Sequence, residues 1–223
     1  TEVLTMFVGI NLGINQLRGS VSFSPASLFA LGEPGVWFDP SDLTTLFQDP
    51  AGTTPVTAPG NTVGLMLDKS KALALGAELV ANGDFSSGTG WTLGTGVSIL
   101  GGSANWTAAT SYGLYRAGVA GVSAGNYYEV TFTVSNYVSG TIRVYLGSVP
   151  NLGPMVTANG TYTTRLGVTG SGEIGFFAPS GSAFTGSIDD FSVKAIAGSH
   201  ATQATLAARP TYSIEPVGGR RNL

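Results

Sequence analysis

The chain has no cysteine, one histidine and few charges, and each shortage removes a class of function. Without cysteine there is no disulfide framework, no thiolate metal centre and no thiol redox chemistry. Charged residues make up 10% of the 223, ten basic against thirteen acidic, and no basic run exceeds Arg220-Arg221. A nucleic-acid backbone calls for a clustered basic surface, so no nucleic-acid partner is expected. Long apolar runs are also missing. The most apolar stretch, 3–14, falls well short of the roughly 20 residues that span a bilayer. It lacks a basic start and a small-residue cleavage site, so neither a membrane span nor a signal peptide is expected.

What is abundant is glycine, 33 residues, within a chain that is 43% hydrophobic. Low charge combined with high hydrophobicity is the opposite of the disorder signature, so the chain is expected to fold. Residues 1–20 form an apolar N-terminal segment carrying Val3, Leu4, Met6, Phe7, Val8, Ile10, Leu12 and Ile14. It reads either as a terminal strand completing a sheet or as a peptide that attaches the chain to a partner subunit. From Ser24 to Thr57, five prolines and three glycines impose turns. Two short helical turns are expected, one starting at Ser24-Pro25 and one at Pro40-Ser41, with Trp37-Phe38 and Leu46-Phe47 as a small core.

Beyond Lys71 the pattern becomes short β-prone runs separated by Gly, Ser and Asn. Strands are expected near Glu78–Ala81, Trp91–Leu100, Ala104–Thr107, Gly113–Arg116, Tyr127–Ser135, Thr141–Leu146, Met155–Thr157, Thr161–Val168, Glu173–Phe177 and Ser187–Ile196. In Tyr128-Glu129-Val130-Thr131-Phe132-Thr133-Val134, the apolar residues Tyr128, Val130, Phe132 and Val134 share one face. Many short strands without a helical period predict a mainly β fold: an antiparallel jelly-roll sandwich held in a turn-rich frame with short helices. The expected division is attachment segment 1–20, frame 21–77, jelly roll 78–196 and second frame part 197–223.

No residue set reads as catalytic. Asp189 and Asp190 are adjacent on an expected strand and would point to opposite faces, so they cannot flank one glycosidic bond. His200 lacks the Ser, Asp and turn arrangement of a triad. Gly170-Ser171-Gly172-Glu173-Ile174-Gly175 lacks the following Lys-Ser/Thr of a phosphate loop. Asn105-Trp106-Thr107 and Asn159-Gly160-Thr161 fit the glycosylation acceptor pattern.

Two resemblances organise the rest. Glu78-Leu79-Val80-Ala81-Asn82-Gly83-Asp84-Phe85-Ser86 with Gly90-Trp91, the run Tyr127 to Val134, and Ser187-Ile188-Asp189-Asp190-Phe191-Ser192-Val193 resemble the opening, middle and closing motifs of galactose-binding-like jelly rolls, the fold of many carbohydrate-binding modules. That resemblance implies a core role for Trp91 and glycan contacts from exposed aromatics, for which Trp106, Tyr112 and Tyr115 are the candidates. No cofactor is expected. A structural calcium at Asp84, Asp189 or Asp190 stays open, although Ser86 stands where calcium-binding members carry Glu.

The stretches 24–29, 35–49 and 51–57 resemble the N-terminal part of bacteriophage structural and tail-fibre-like proteins. In such proteins a Leu-Asp-Lys-Ser segment runs directly into a Gly-rich turn and His-Ala-Thr-Gln-Ala-Thr. Here Leu67-Asp68-Lys69-Ser70 and Gly198 to Thr205 stand on either side of the β-rich region, as if one segment had been opened by an insertion. The resemblance implies a virion protein, a fibre, spike or appendage that attaches through its N-terminal region, contacts other virion proteins and displays the jelly roll to host-surface glycans. By analogy with phage fibres it implies a homotrimer. The alternative is a decoration or head-fibre protein with a purely structural role. An inserted sandwich carries a geometric expectation: Ser70 and Gly198 should lie together at one pole.

Overall fold

A computed structural model describes residues 24–147, 151–170 and 172–214, and the backbone of 216–217 and 220–221. The expected attachment residues Val3, Leu4, Met6, Phe7, Val8, Ile10, Leu12 and Ile14 lie outside the described residues. Ser24 caps a 3-10 turn at Pro25–Phe29, accepting the Ala26 N–H, as the Ser-Pro start predicts. The second turn is shorter than expected. Asp42, not Ser41, caps Leu43–Thr45, and the next two residues become strand β1 (Leu46–Phe47).

Strand β2 (Leu65–Met66) pairs with β1, and β3 (Leu75–Glu78) leads into the sandwich. Then follow β4 (Thr92–Leu93), β5 (Val97–Ile99), β6 (Ala104–Ala109), β7 (Ser111–Arg116), β8 (Tyr127–Ser139), β9 (Arg143–Leu146), β10 (Asn151–Leu152), β11 (Gly160–Gly167), β12 (Ile174–Ala178) and β13 (Phe184–Ile196). The chain ends with β14 (Ala201–Thr202), a 3-10 turn at Leu206–Ala208, and the short pair β15 (Pro216–Val217) and β16 (Arg220–Arg221).

All pairings are antiparallel. One sheet runs β10-β9-β12-β7-β4 and the other β11-β8-β13-β6-β5, with β3 added beside β13. The expected mainly β jelly-roll sandwich is what forms. Its core is the interleaved inner faces, and Tyr128, Val130, Phe132 and Val134 of β8 are all buried, as their alternation predicts. Phe132 meets Phe176 edge-on from the opposite sheet at 5.1 Å, and Phe85, Trp91 and Phe191 form a further aromatic cluster. Trp91 takes its expected place in the core, with its indole N–H donating to the Asn82 carbonyl.

The expected continuous strand Trp91–Leu100 does not exist. The chain leaves the five-stranded sheet after Leu93 and joins the other sheet at Val97, crossing through Gly94-Thr95-Gly96. Gly96 has φ +80°, and a Cβ there would sit 2.7 Å from the Thr107 carbonyl oxygen, so the crossing needs glycine. Near Met155 the expected strand reduces to one bridge, Ile142 to Val156. Strand β3 starts earlier than expected, because Glu78 ends it by turning its carboxylate onto the N–H groups of Val80 and Val193.

The two halves of the split segment meet. Ile196 pairs with Leu75, Ala197 N–H donates to Ala74 O, and β14 pairs with β2. A Cβ on Gly198 would lie 3.1 Å from that of Asp68. The sandwich therefore begins and ends at one place, and residues on both sides of it build one three-stranded sheet, β1-β2-β14.

Candidate functional site

Two assemblies of polar and aromatic side chains stand out, one at the joint between frame and sandwich and one on the five-stranded sheet.

At the joint each residue of Leu67-Asp68-Lys69-Ser70 has a separate task. Leu67 is buried with Phe47, Leu65, Tyr127 and Ile196, a small apolar cluster shared by frame and sandwich. Asp68 is 1% exposed. Its Oδ1 accepts the Trp37 and Ser70 N–H groups at 2.9 and 2.8 Å, and its Oδ2 accepts the Ser199 N–H and the Ser70 hydroxyl, both at 2.9 Å. Burial alone would raise the carboxyl pKa, but these donors outweigh it and hold the group below its ordinary value. Lys69 bridges Asp39 and Asp42 at 2.8 Å each and lies over the Trp37 ring.

His200 completes the joint. Its Nδ1 accepts the Asp68 N–H at 3.1 Å, which leaves Nε2 to donate to the Ile196 carbonyl at 3.3 Å, and its ring stands edge-on to Tyr127. Burial lowers its pKa, working against the Ile196 contact and the Asp68 charge. Both ring nitrogens are thus engaged by backbone groups.

The second assembly follows from register. Leu114, Phe176 and Val144 occupy one cross-strand row and are buried in the core. The adjacent row, Tyr115-Gly175-Tyr145, extended by Thr92 and Leu152, must therefore lie on the outer face. One step further along the same face, Phe177 pairs with Tyr112 on one side and Arg143 on the other. Tyr112 packs at 4.9 Å against both Tyr145 and Phe177. Tyr112 is 44% exposed, Tyr115 and Phe177 are half-buried, and Tyr145 is covered. The Tyr145 hydroxyl donates to Glu173 Oε1 at 2.7 Å. Burial, then that bond and the Glu173 charge, push its pKa far up. The result is an aromatic surface with Gly175 as its floor, a carboxylate at one end and a guanidinium at the other.

The three aromatic candidates separate. Tyr112 and Tyr115 come together on this face. Trp106 does not, and its expected exposure is corrected here: it is 2% exposed, packed edge-on against Phe184 and directly over Gly113. Its neighbour in the ladder, Gly186, and the glycine beneath it make room for an indole inside the sandwich. Composition of the nearby loop suggested exposure, whereas alternation with Ala104 decides the direction. Phe177, Arg143 and Glu173 were not among the candidates. The alternation of Arg143 with Tyr145, and of Glu173, Gly175 and Phe177, carried the signal for each strand.

Asp84, Asp189 and Asp190 do not form a three-carboxylate cluster. Among the described residues no set of three or more acidic or histidine side chains is arranged to hold a metal ion. Asp84 is turned into its own loop, accepting from Ser86, and Asp189 accepts the Asp190 N–H. Burial raises the Asp189 pKa, as do the charges of Asp190 and Asp84. A bulge between Asp189 and Ser192, with Asp190 at φ +51°, breaks the strict alternation expected there.

No protein-family model and no curated protein sequence matches the chain. Among solved structures, the CBM22-1 xylan-binding domain of Paenibacillus barcinonensis Xyn10C is similar at 16% identity over 57% of this chain and 99% of its own, with a TM-score of 0.39. The CBM22-1–CBM22-2 tandem of the same protein is similar at 14% identity over 57% of this chain and 47% of its own, TM-score 0.40. The enzymatically active domain of tailspike protein 4 of bacteriophage CBA120 is similar at 18% identity over 53% of this chain and 21% of its own, TM-score 0.35.

Proposed function

We propose that the chain is a non-enzymatic bacteriophage virion protein whose jelly roll binds glycans of a host surface. The observation that carries the glycan reading is the aromatic face of the five-stranded sheet. Tyr112, Tyr115 and Phe177 offer ring surface of the kind that stacks on apolar sugar faces, and Glu173 offers acceptors for hydroxyls at its margin. The virion assignment rests on the resemblance of the frame stretches 24–57, together with the apolar side chains that the frame leaves exposed. Leu28, Leu31, Val36, Leu206 and Ile214 are each more than half exposed, which suits contact with other virion proteins. The same observation supports the second reading, a decoration protein that binds no sugar. In either case repetition around a homo-oligomer would raise avidity without new contacts.

Glycan-array binding of the full chain separates these. Glycan binding that falls roughly tenfold or more, about 1.4 kcal/mol, in both Tyr112→Ala and Tyr115→Ala supports recognition. Particles that assemble normally while the chain binds no glycan favour the structural role. Release of shortened saccharides on incubation with host polysaccharide would overturn the non-enzymatic reading.

A further inference from the structure

The aromatic face ends in a cation that no acidic side chain among the described residues pairs with. Among the described residues the ion pairs are Lys69 with Asp39 and Asp42, and Arg165 with Glu129. Arg143 has none, although it is half-buried and burial works against its charge. Its Nε donates to Gly153 O at 2.7 Å and its Nη2 to Leu152 O at 3.2 Å, so the guanidinium is fixed in orientation by the backbone around β10. Nη1 makes no hydrogen bond among the described residues, and a guanidinium carries five N–H groups. The remaining donors form the fork that takes a carboxylate in two parallel bonds. Strand register pairs Arg143 with Phe177, whose ring contacts Tyr112, while the guanidinium itself reaches to the β10 side of the same sheet. Glu173, on the same face, lies four residues before Phe177 and accepts the Tyr145 hydroxyl.

We infer that the glycan this face takes is acidic: a sugar carboxylate is held by Arg143 while the neighbouring ring stacks on Tyr112 and Phe177. The inference rests on the glycan reading above and narrows it to one chemical class. A neutral sugar could accept single hydrogen bonds from the same donors. Only an anion supplies the missing countercharge as well.

The test uses the full chain and an array of polysaccharides in matched pairs, polyuronates and sialylated glycans beside their carboxyl-reduced forms. The expected result is binding confined to acidic members, lost roughly ten- to a hundredfold on carboxyl reduction and equally in Arg143→Gln. Arg143→Lys, which keeps the charge but loses the fork, should fall between. Arg165→Gln, on the other sheet, removes the same charge and should leave binding unchanged. Equal loss in Arg165→Gln would show diffuse charge attraction and overturn the assignment. Equal affinity for native and reduced forms, with sensitivity to Tyr112→Ala but not to Arg143→Gln, overturns the acidic class and leaves the aromatic face standing. No glycan binding at all overturns both. Should Arg143→Gln fail to fold, carboxyl reduction with the unaltered chain decides alone.

Discussion

Replacing Asp68 with alanine tests whether the split segment is a working joint. The carboxylate collects four donors, three of them backbone N–H groups drawn from residues 37, 70 and 199. Those residues belong to three separate stretches, so the substitution unties all of them at once. A buried donor left without its partner costs about 1–3 kcal/mol, and water entering the vacated space recovers part of that. Charge-assisted bonds lie at the upper end, and the four share one acceptor group, so their losses do not add. A net loss of about 3–5 kcal/mol is expected, the range seen when one side of a buried charged network is removed. Against a typical total of about 5–15 kcal/mol this is a large fraction. For a chain of this size it lowers the melting temperature by about 10 °C.

The loss should be local as well as large. Hydrogen exchange should quicken at the amides of Trp37, Ser70 and Ser199, while the β8–β13 ladder keeps its protection. Asp68→Asn should fall between, because it retains Oδ1 but can set an amide nitrogen against the Ser199 N–H. Acid adds a sign. A carboxyl held below its ordinary pKa stabilises the fold above 3.8, and that contribution disappears as pH falls through the lowered folded value. A midpoint within 1 kcal/mol of the unaltered chain, with unchanged exchange at the three amides, would refute this account of the joint.

His200 gives a second pH signature at the same place. Its folded pKa is depressed below 6.5, so its contribution is complete above that pH and lost as pH falls through the folded value. His200→Asn keeps an acceptor near the Asp68 N–H and removes the titration, so stability measured by urea midpoint should lose its slope between pH 6.5 and the carboxylate range. Gly83→Ala tests the packing of the opening turn. Its Cβ would overlap the Phe191 carbonyl oxygen, so a loss of about 1–3 kcal/mol is expected by thermal unfolding.

How much of this was legible in the sequence varied with the kind of information needed. The interior of β8 could be read directly, because alternation is a property of one strand and its apolar face is unbroken from Tyr128 to Val134. The break between β4 and β5 could not, since Leu93 and Val97 are both apolar and the change of sheet is decided by what each one pairs with. Register hid the aromatic face in the same way. Tyr112, Tyr145 and Phe177 are far apart in the chain, and only the pairings of β7, β9 and β12 bring their rings within 4.9 Å. The burial of Trp106 is hidden for a different reason. A loop of Gly, Ser and Thr says that backbone nearby is exposed, but the direction of a strand residue is set by its parity. The meeting of Asp68 with Ser199 and His200 was foreseeable because the two broken motifs implied it. The chemistry that closes them, a carboxylate on one side and an imidazole on the other, was not.

The placement of the frame also bears on which face of the sandwich is free to recognise anything. Frame and sandwich touch through the six-stranded sheet and its edge: Arg165 donates to Thr44 O, Gly167 to Ala51 O and the Tyr127 hydroxyl to Pro50 O, all from β8 or β11. The aromatic rings and Arg143 belong to β7, β9 and β12 of the other sheet. Among the described residues, these contacts leave the outer face of the five-stranded sheet uncovered by the frame. Under the proposed function this opposition is useful, because a frame held against the particle would orient the aromatic face away from its own attachment. It also explains why the joint needs so many directed hydrogen bonds. A tether of chain alone would let the sandwich turn, whereas Asp68, His200 and the β2–β14 pairing fix both ends of the insert to one sheet and set the direction in which its recognition face points.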